Sequence, residues 1–401
     1  MKKLLLSVVI LICAANILEA VEEKKDFSID VSGFIRADVI YDTRQSVTIR
    51  ENSIMLYPKE KNIVVGEDLN DNPKMNMLVL HTRLRAGIKG PDALGAKTSG
   101  LIEGEFFGAA NDDANGFRLR HAFLKLDWGK TNLMFGQYWN AMFITRVLPS
   151  YNFSSPFIPY GRRPQIRLEH LLGDFHLIGT ASMYSDFSSI GPGPDGVPIR
   201  STEFLSNAAF PAMDLTAYYD DKKFVIGAGV GAKAIKPKLS DKDVLNSYSF
   251  NGFARYDIDL LSLKAQAVYG QNLNDVIMIG GYARLLEDSL AYENMNIFSA
   301  WAEVTYGKEV MVALLVGYTQ NQGTDEEVMT GDPSQIWAMG WNLQEVLRIS
   351  PSIQYRIGKV RLIAEVDYNQ AIYGTPDQNY EFTGRYNVEN FRYNFVAYYY
   401  F

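Results

Sequence analysis

Past its first twenty residues the chain holds no apolar run approaching the ~18 residues that a membrane-spanning helix requires. Instead it alternates apolar and polar residues over unusually long stretches. From Tyr248 to Asp259, one parity reads Tyr248, Phe250, Gly252, Ala254, Tyr256 and Ile258. The other reads Ser249, Asn251, Phe253, Arg255, Asp257 and Asp259. From Leu347 to Ile357, Leu347, Ile349, Ile353, Tyr355 and Ile357 oppose Arg348, Ser350, Ser352, Gln354 and Arg356. Val360, Leu362, Ala364, Val366 and Tyr368 then alternate with Arg361, Ile363, Glu365, Asp367 and Asn369. Successive side chains of a strand point to opposite faces, so each segment has an apolar and a polar face. Lipid admits only structures that satisfy all their backbone polar groups, helices and closed barrels. Without a spanning helix, an embedded chain of this pattern must be a barrel.

A soluble sandwich alternates too, but three features separate the cases. Sandwich strands run about 5–6 residues, whereas these segments reach about 10–13, as a tilted strand needs to cross a bilayer. The apolar parity carries aromatic residues near its ends, among them Tyr41, Trp128, Tyr219, Tyr256, Tyr306, Tyr355 and Tyr399, as in the girdles at membrane–water interfaces. The connections alternate short and long. Short ones fall near 90–95, 129–130, 173–174, 220–223, 259–262, 307–309 and 358–359. Long ones span roughly 43–74, 108–116, 138–163, 187–211, 237–246, 272–294, 321–342 and 370–389. The expectation is an all-β transmembrane antiparallel barrel of about sixteen strands.

Lys2 and Lys3 precede an apolar run from Leu4 to Ala15, with Ala20 at a plausible cleavage point. Residues 1–20 read as a secretory signal peptide, and 21–401 as the barrel domain. The only cysteine, Cys13, lies in the leader, so no disulfide framework is possible. With Lys+Arg 39 against Asp+Glu 46 and no basic block, the chain is not a nucleic-acid binder. The last strand sets Phe391, Tyr393, Phe395, Ala397, Tyr399 and Phe401 on one face, as a closing strand against lipid would. Tyr399 and Phe401 resemble the terminal signal read by the barrel-insertion machinery.

A barrel of about sixteen strands encloses a water-filled channel whose inward face sets selectivity. Arg36 and Asp38 share the polar parity of the first strand. His81, Arg83, Arg85 and Lys89 oppose Leu80, Leu84 and Ile88 on the second. Glu103 and Glu105 lie on the third, Arg118 and Arg120 on the fourth. These arginines would line one wall and attract anions, since the guanidinium fork suits carboxylate or phosphate. The other reading is a structural network in which Asp38, Glu103 and Glu105 neutralise them. The third long loop is rich in aromatics and proline, with Trp139, Phe143, Tyr151, Phe157 and Tyr160, an apolar patch that must pack against something. Folded inward, it would form a constriction where Arg146, Arg162, Arg163 and the strand residue Arg167 face the arginine wall. Otherwise it covers the mouth or makes a subunit contact. His121 falls out of phase with Arg118 and Arg120, which would point it outward. No nucleophile motif accompanies the histidines, so no enzyme activity is expected. Asn111–Gly116 lacks the bidentate Glu of a calcium loop, and no cofactor or metal is expected.

Val31–Asp42, Arg118–Lys125 and Leu133–Trp139 resemble strands of the DcaP-like porins, and the aromatic run after Trp139 fits their third loop. The resemblance covers about the first 170 residues. It implies a trimeric sixteen-stranded diffusion channel in the outer membrane of a Gram-negative bacterium, surrounded by lipid and favouring small anionic solutes such as dicarboxylates. Some members carry an N-terminal coiled coil, for which the few polar residues before Phe27 leave no room. The contrasting expectation is a structural or adhesive barrel with a closed lumen and partner-binding loops.

Overall fold

A computed structural model describes residues 27–108, 113, 115–151, 155–183, 186–241 and 244–401. The signal-peptide expectation for residues 1–20 lies outside the described residues. The wall is a closed antiparallel barrel of 16 strands. Its first strands are β1 (Ser28–Asp42), β2 (Lys74–Leu78 and Arg83–Lys89), β3 (Lys97–Glu105), β4 (Arg118–Asp127) and β5 (Thr131–Trp139). Then come β6 (Arg162–Leu172), β7 (Phe175–Ser182), β8 (Ala212–Asp220), β9 (Phe224–Ile235), β10 (Leu245–Ile258) and β11 (Leu261–Gln271). The far wall is β12 (Tyr292–Gly307), β13 (Val310–Thr324), β14 (Leu343–Ile357), β15 (Val360–Pro376) and β16 (Phe382–Tyr400). Short turns join strands at the end that carries Ser28 and Phe401, and long loops join them at the other. The expected last loop, 370–389, is mostly strand: β15 and β16 extend past it and leave only a tight turn between Pro376 and Phe382.

β16 pairs with β1 from Phe34↔Tyr400 to Asp42↔Arg392, which closes the cylinder. Gly33 seals the seam by exchanging backbone hydrogen bonds with Phe401 at 3.2 and 3.3 Å. A Cβ on Gly33 would meet the Arg83 carbonyl oxygen at 2.2 Å, so no larger residue fits there.

The period-two pattern is visible as burial. On β16, Phe391, Tyr393, Phe395, Ala397 and Tyr399 are exposed on the outside, and Asn390, Arg392, Asn394, Val396 and Tyr398 are buried inside. With every strand edge paired, such a cylinder has no open row of backbone donors.

Two of the irregularities in the ladder correct expectations from sequence. Between Phe34↔Arg83 and Asp38↔Leu78, β2 carries one residue more than β1, and its ladder is interrupted at 79–82. The extra residue flips the phase, so Leu80 is buried inside rather than facing outward with Leu84. On β4 the register slips between Glu103↔His121 and Gly104↔Leu119, leaving Arg120 as an inserted residue. A bulge of this kind re-aims the side chains that follow it. His121 therefore turns inward and is buried, contrary to its sequence phase.

The main apolar core sits at the loop end. Leu56 and Tyr57 of the first loop, Phe143 and Phe157 of the third, Phe187 of the fourth and Ile277 of the sixth pack with the inward wall residues Phe253, Trp301 and Leu315.

Candidate functional site

Glu105 is the centre of the charged wall. It is fully buried and accepts from Arg118 at 2.8 Å, Arg120 at 2.6 Å and Arg83 at 3.1 Å. Glu103 holds Arg120 at 2.7 Å and stands 3.7 Å from Arg83. Asp186, from the fourth loop, bridges Arg118 at 3.3 Å and Arg162 at 2.6 Å. The Trp139 ring lies under Arg162 at 4.4 Å and Arg120 at 5.5 Å. β3 places both glutamates on the same parity, and the β4 bulge brings Arg118 and Arg120 to them. A buried charge persists only when paired and hydrogen-bonded, and here the pairing is mutual.

Arg36 grips Asp38 with two nitrogens, at 2.8 and 2.5 Å, and donates to the Tyr151 hydroxyl at 3.1 Å. Arg163 binds Asp275 of the sixth loop at 2.7 Å, and Lys233 binds the same carboxylate at 2.6 Å. Burial would raise the Asp275 pKa, but these two cations more than offset it and hold the carboxyl below its ordinary range. Arg146 pairs with Asp220, with one contact at 2.8 Å. His81 shares a hydrogen bond with Ser53 at 2.7 Å and packs on Phe107. His121 lies 3.9 Å from Glu103 and between the Tyr138 and Trp139 rings.

Two arginines named from sequence behave differently. Arg85 is exposed on the inner face and Arg167 is half-buried, its guanidinium over the Tyr138 ring at 5.7 Å. Among the described residues, neither has a carboxylate within ion-pair distance.

Residues 140–151 and 155–161 meet inward-facing groups around much of the wall. Ser150 donates its backbone N–H to Glu303 of β12 at 2.9 Å, and its carbonyl accepts from Arg361 of β15 at 2.6 Å. The Met142 carbonyl accepts from Gln266 of β11, and the Arg146 carbonyl from Arg255 of β10. The Phe157 carbonyl accepts from Ser299, and its ring lies beneath Arg348 of β14. Phe157 also fills the space over Gly317 of β13, where a Cβ would come within 2.6 Å of the ring.

Sequence reasoning missed the contribution of the first loop. The first loop forms a hairpin, Ser46–Ile49 against Ile54–Pro58, whose tip is held by the wall. Arg392 of β16 grips Asp42 with two bonds of 2.8 Å and donates to Asn52 at 2.9 Å. Arg348 donates to the Met55 and Leu56 carbonyls, and the Tyr373 hydroxyl donates to Pro58. Burial and neighbouring Arg118 push the Arg50 guanidinium at this tip down to about 10, still protonated at neutral pH. The apolar run Ile54–Tyr57 was the available signal. The Asp42–Arg392 pairing depends on barrel closure, which joins residues 350 positions apart.

No family model and no curated protein matches the chain. Solved structures do. The outer membrane channel DcaP of Acinetobacter baumannii superposes with a TM-score of 0.71 at 18% identity, over 94% of this chain and 97% of that one. The chain has the porin fold. An anion-selective porin from Comamonas acidovorans is similar with a TM-score of 0.60 at 12% identity, covering 94% of this chain and 100% of that one. OmpT, an outer membrane protein of Vibrio cholerae, gives 0.56 at 11%, covering 94% and 98%. The porin fold accounts for the wall as a whole, from the seam at Gly33 to the turn end.

Proposed function

We propose that the protein is a non-enzymatic outer-membrane porin of a Gram-negative bacterium, passing small hydrophilic solutes by diffusion and favouring anions. The observation that carries this reading is the contrast of faces: an apolar exterior band around an interior of arginine, glutamate, asparagine and serine. Such a cylinder is stable in lipid and wet within. The segment 140–161 is the constriction, because its backbone is tied to inward-facing side chains on β10, β11, β12 and β15. Long loops then face outside the cell and short turns face the periplasm. Tyr399 and Phe401 form the terminal signal for insertion, both being exposed on the lipid side of the closing strand. Preference for anions rests on the inward Arg85 and Arg167, which among the described residues have no carboxylate within ion-pair distance. A homotrimer is supported by the height of the wall. The strands β3, β4 and β5 have 9 to 10 residues, against 15 to 19 on β12–β16. This lower stretch of wall is where a neighbouring subunit would pack.

Liposome swelling tests the channel. Purified protein in lipid vesicles should admit small sugars and acetate at rates that fall with solute size; vesicles that never swell would remove the porin reading. A second reading has its own observation. The apolar cluster joining the first, third, fourth and sixth loops inside the loop end fits a barrel whose mouth is shut and whose loops bind a partner. The same swelling assay decides between them.

A further inference from the structure

The arginines that dominate the charged wall do not present free charge. Arg36, Arg83, Arg118, Arg120, Arg162 and Arg163 each hold at least one carboxylate within 4 Å. Arg83, Arg118, Arg120 and Arg162 share Glu103, Glu105 and Asp186, so the network keeps a net positive charge, but its guanidinium forks are largely buried and already engaged by protein carboxylates. Nearer the turn end the balance changes. One hydrogen-bonding ladder crosses five strands through inward-facing residues: Lys89↔Ser99, Ser99↔Lys125, Lys125↔Met134 and Met134↔Arg167. It places a cation on every second strand, β2, β4 and β6. Neighbouring strands lie about 4.8 Å apart, so successive cations start about 10 Å from one another. Their long side chains can converge on one small ligand.

Among the described residues, Lys89 and Arg167 have no carboxylate partner, and Lys125 has only the loose, half-exposed Asp127 at 3.7 Å. The ladder's inward members between them, Ser99 and Met134, are neutral. On its far side it runs through Thr180 to Asp214, where the Thr180 hydroxyl donates to the carboxylate. Along this one row three cations precede Asp214; the inward carboxylates Asp30, Asp127 and Glu169 stand two residues nearer to or farther from the turns, Glu169 being engaged with His176 at 2.8 Å. Arg85, four residues along β2 from Lys89, adds an exposed guanidinium above it.

We propose that Lys125 and Arg167, flanked by Lys89 and Arg85, form an oxyanion-binding step on the turn-end side of the constriction, and that this row rather than the buried arginine network sets ion preference. It takes a small carboxylate or phosphate, with the Arg167 fork over the Tyr138 ring presenting its paired donors and Lys125 supplying a mobile point charge. The inference rests on the porin reading of the bore.

The experiment is a planar-bilayer comparison of the full protein with a Lys125→Gln/Arg167→Gln double variant and with Lys130→Gln, an equal kind of charge loss on the outer turn. A unit charge about 5 Å away in water alters local ion density about fourfold. The double variant should thus lower the chloride-over-potassium permeability ratio by up to about tenfold, while Lys130→Gln leaves it near the parent value. Block of the chloride current by succinate, and in a separate arm by inorganic phosphate, should weaken in the double variant. The arm that blocks the parent more strongly names the preferred oxyanion. Unboiled gel mobility verifies that the variant barrel is folded; should it not fold, Arg167→Lys and Lys125→Gln singly are read in the same way. A folded double variant with parental permeability ratio and parental block overturns this assignment and leaves the porin reading standing. A parent protein that carries no current overturns the porin reading itself.

Discussion

Two levels of the same wall use the same residue types for opposite ends. At the level of Glu103 and Glu105, arginines are buried and matched by carboxylates from β3 and the fourth loop. A few residues toward the turns, Arg85, Lys89 and Arg167 have no carboxylate partner among the described residues. The first level is architecture, joining β2, β3, β4 and β6 and receiving the loops. The second is the level we propose for solute binding. The difference teaches that an arginine count on an inner face says little about selectivity until the carboxylates are placed, because a charge that is already paired is spent.

The sharpest way to break the comparison is to unbalance the upper level. Glu105→Ala removes the carboxylate shared by Arg83, Arg118 and Arg120, and should destabilise the barrel by about 3–5 kcal/mol, since it leaves buried charge unmatched. Loss of the heat-resistant gel band at lower temperature, and a lower denaturant midpoint, would register it. Unchanged midpoints would mean that the network is not structural. Gly317→Val places methyl groups where the Phe157 ring rests. Overpacking of this kind costs about 1–3 kcal/mol, and the variant's conductance should rise as the segment 140–161 unseats. Conductance equal to the parent's would detach that segment from control of the bore.

Acid should act on the sixth loop. The Asp275 pKa is depressed in the folded protein by Lys233 and Arg163, so its stabilising contribution is fully present above the ordinary carboxylate value near 3.8. It is lost only as pH falls through the still lower folded value. Channel noise should therefore grow only in strong acid, and Asp275→Asn should show the same noise already at neutral pH. An Asn variant as quiet as the parent would contradict the anchoring role. The smallest effect belongs to Tyr151→Phe, which removes one hydrogen bond to Arg36. A loss of about 1 kcal/mol is expected in a denaturant titration, with selectivity unchanged.

Much of this fold was readable in the sequence, because a lipid-facing strand must be apolar on every second residue for its whole length. The parity of Tyr248–Asp259 and of the final strand placed their side chains on the faces the structure gives them. Parity fails where one residue is inserted. The extra residue at 79–82 and the bulge at Arg120 carry no mark in a single sequence, and they decide the direction of Leu80 and His121. Loop contributions were equally hidden. Asp186 and Asp275 sit in irregular segments without periodicity, and only the folded chain brings them to Arg162 and Arg163. The first-loop hairpin was passed over as plain external loop, although Ile54–Tyr57 is too apolar for solvent.

The central claim is that the interior is an open aqueous path biased toward anions. The reversal potential of single channels across a KCl gradient tests it most directly. Discrete current steps with a reversal potential displaced toward the chloride equilibrium are the expected result. A displacement toward potassium, or a membrane that stays silent with folded protein inserted, would contradict it.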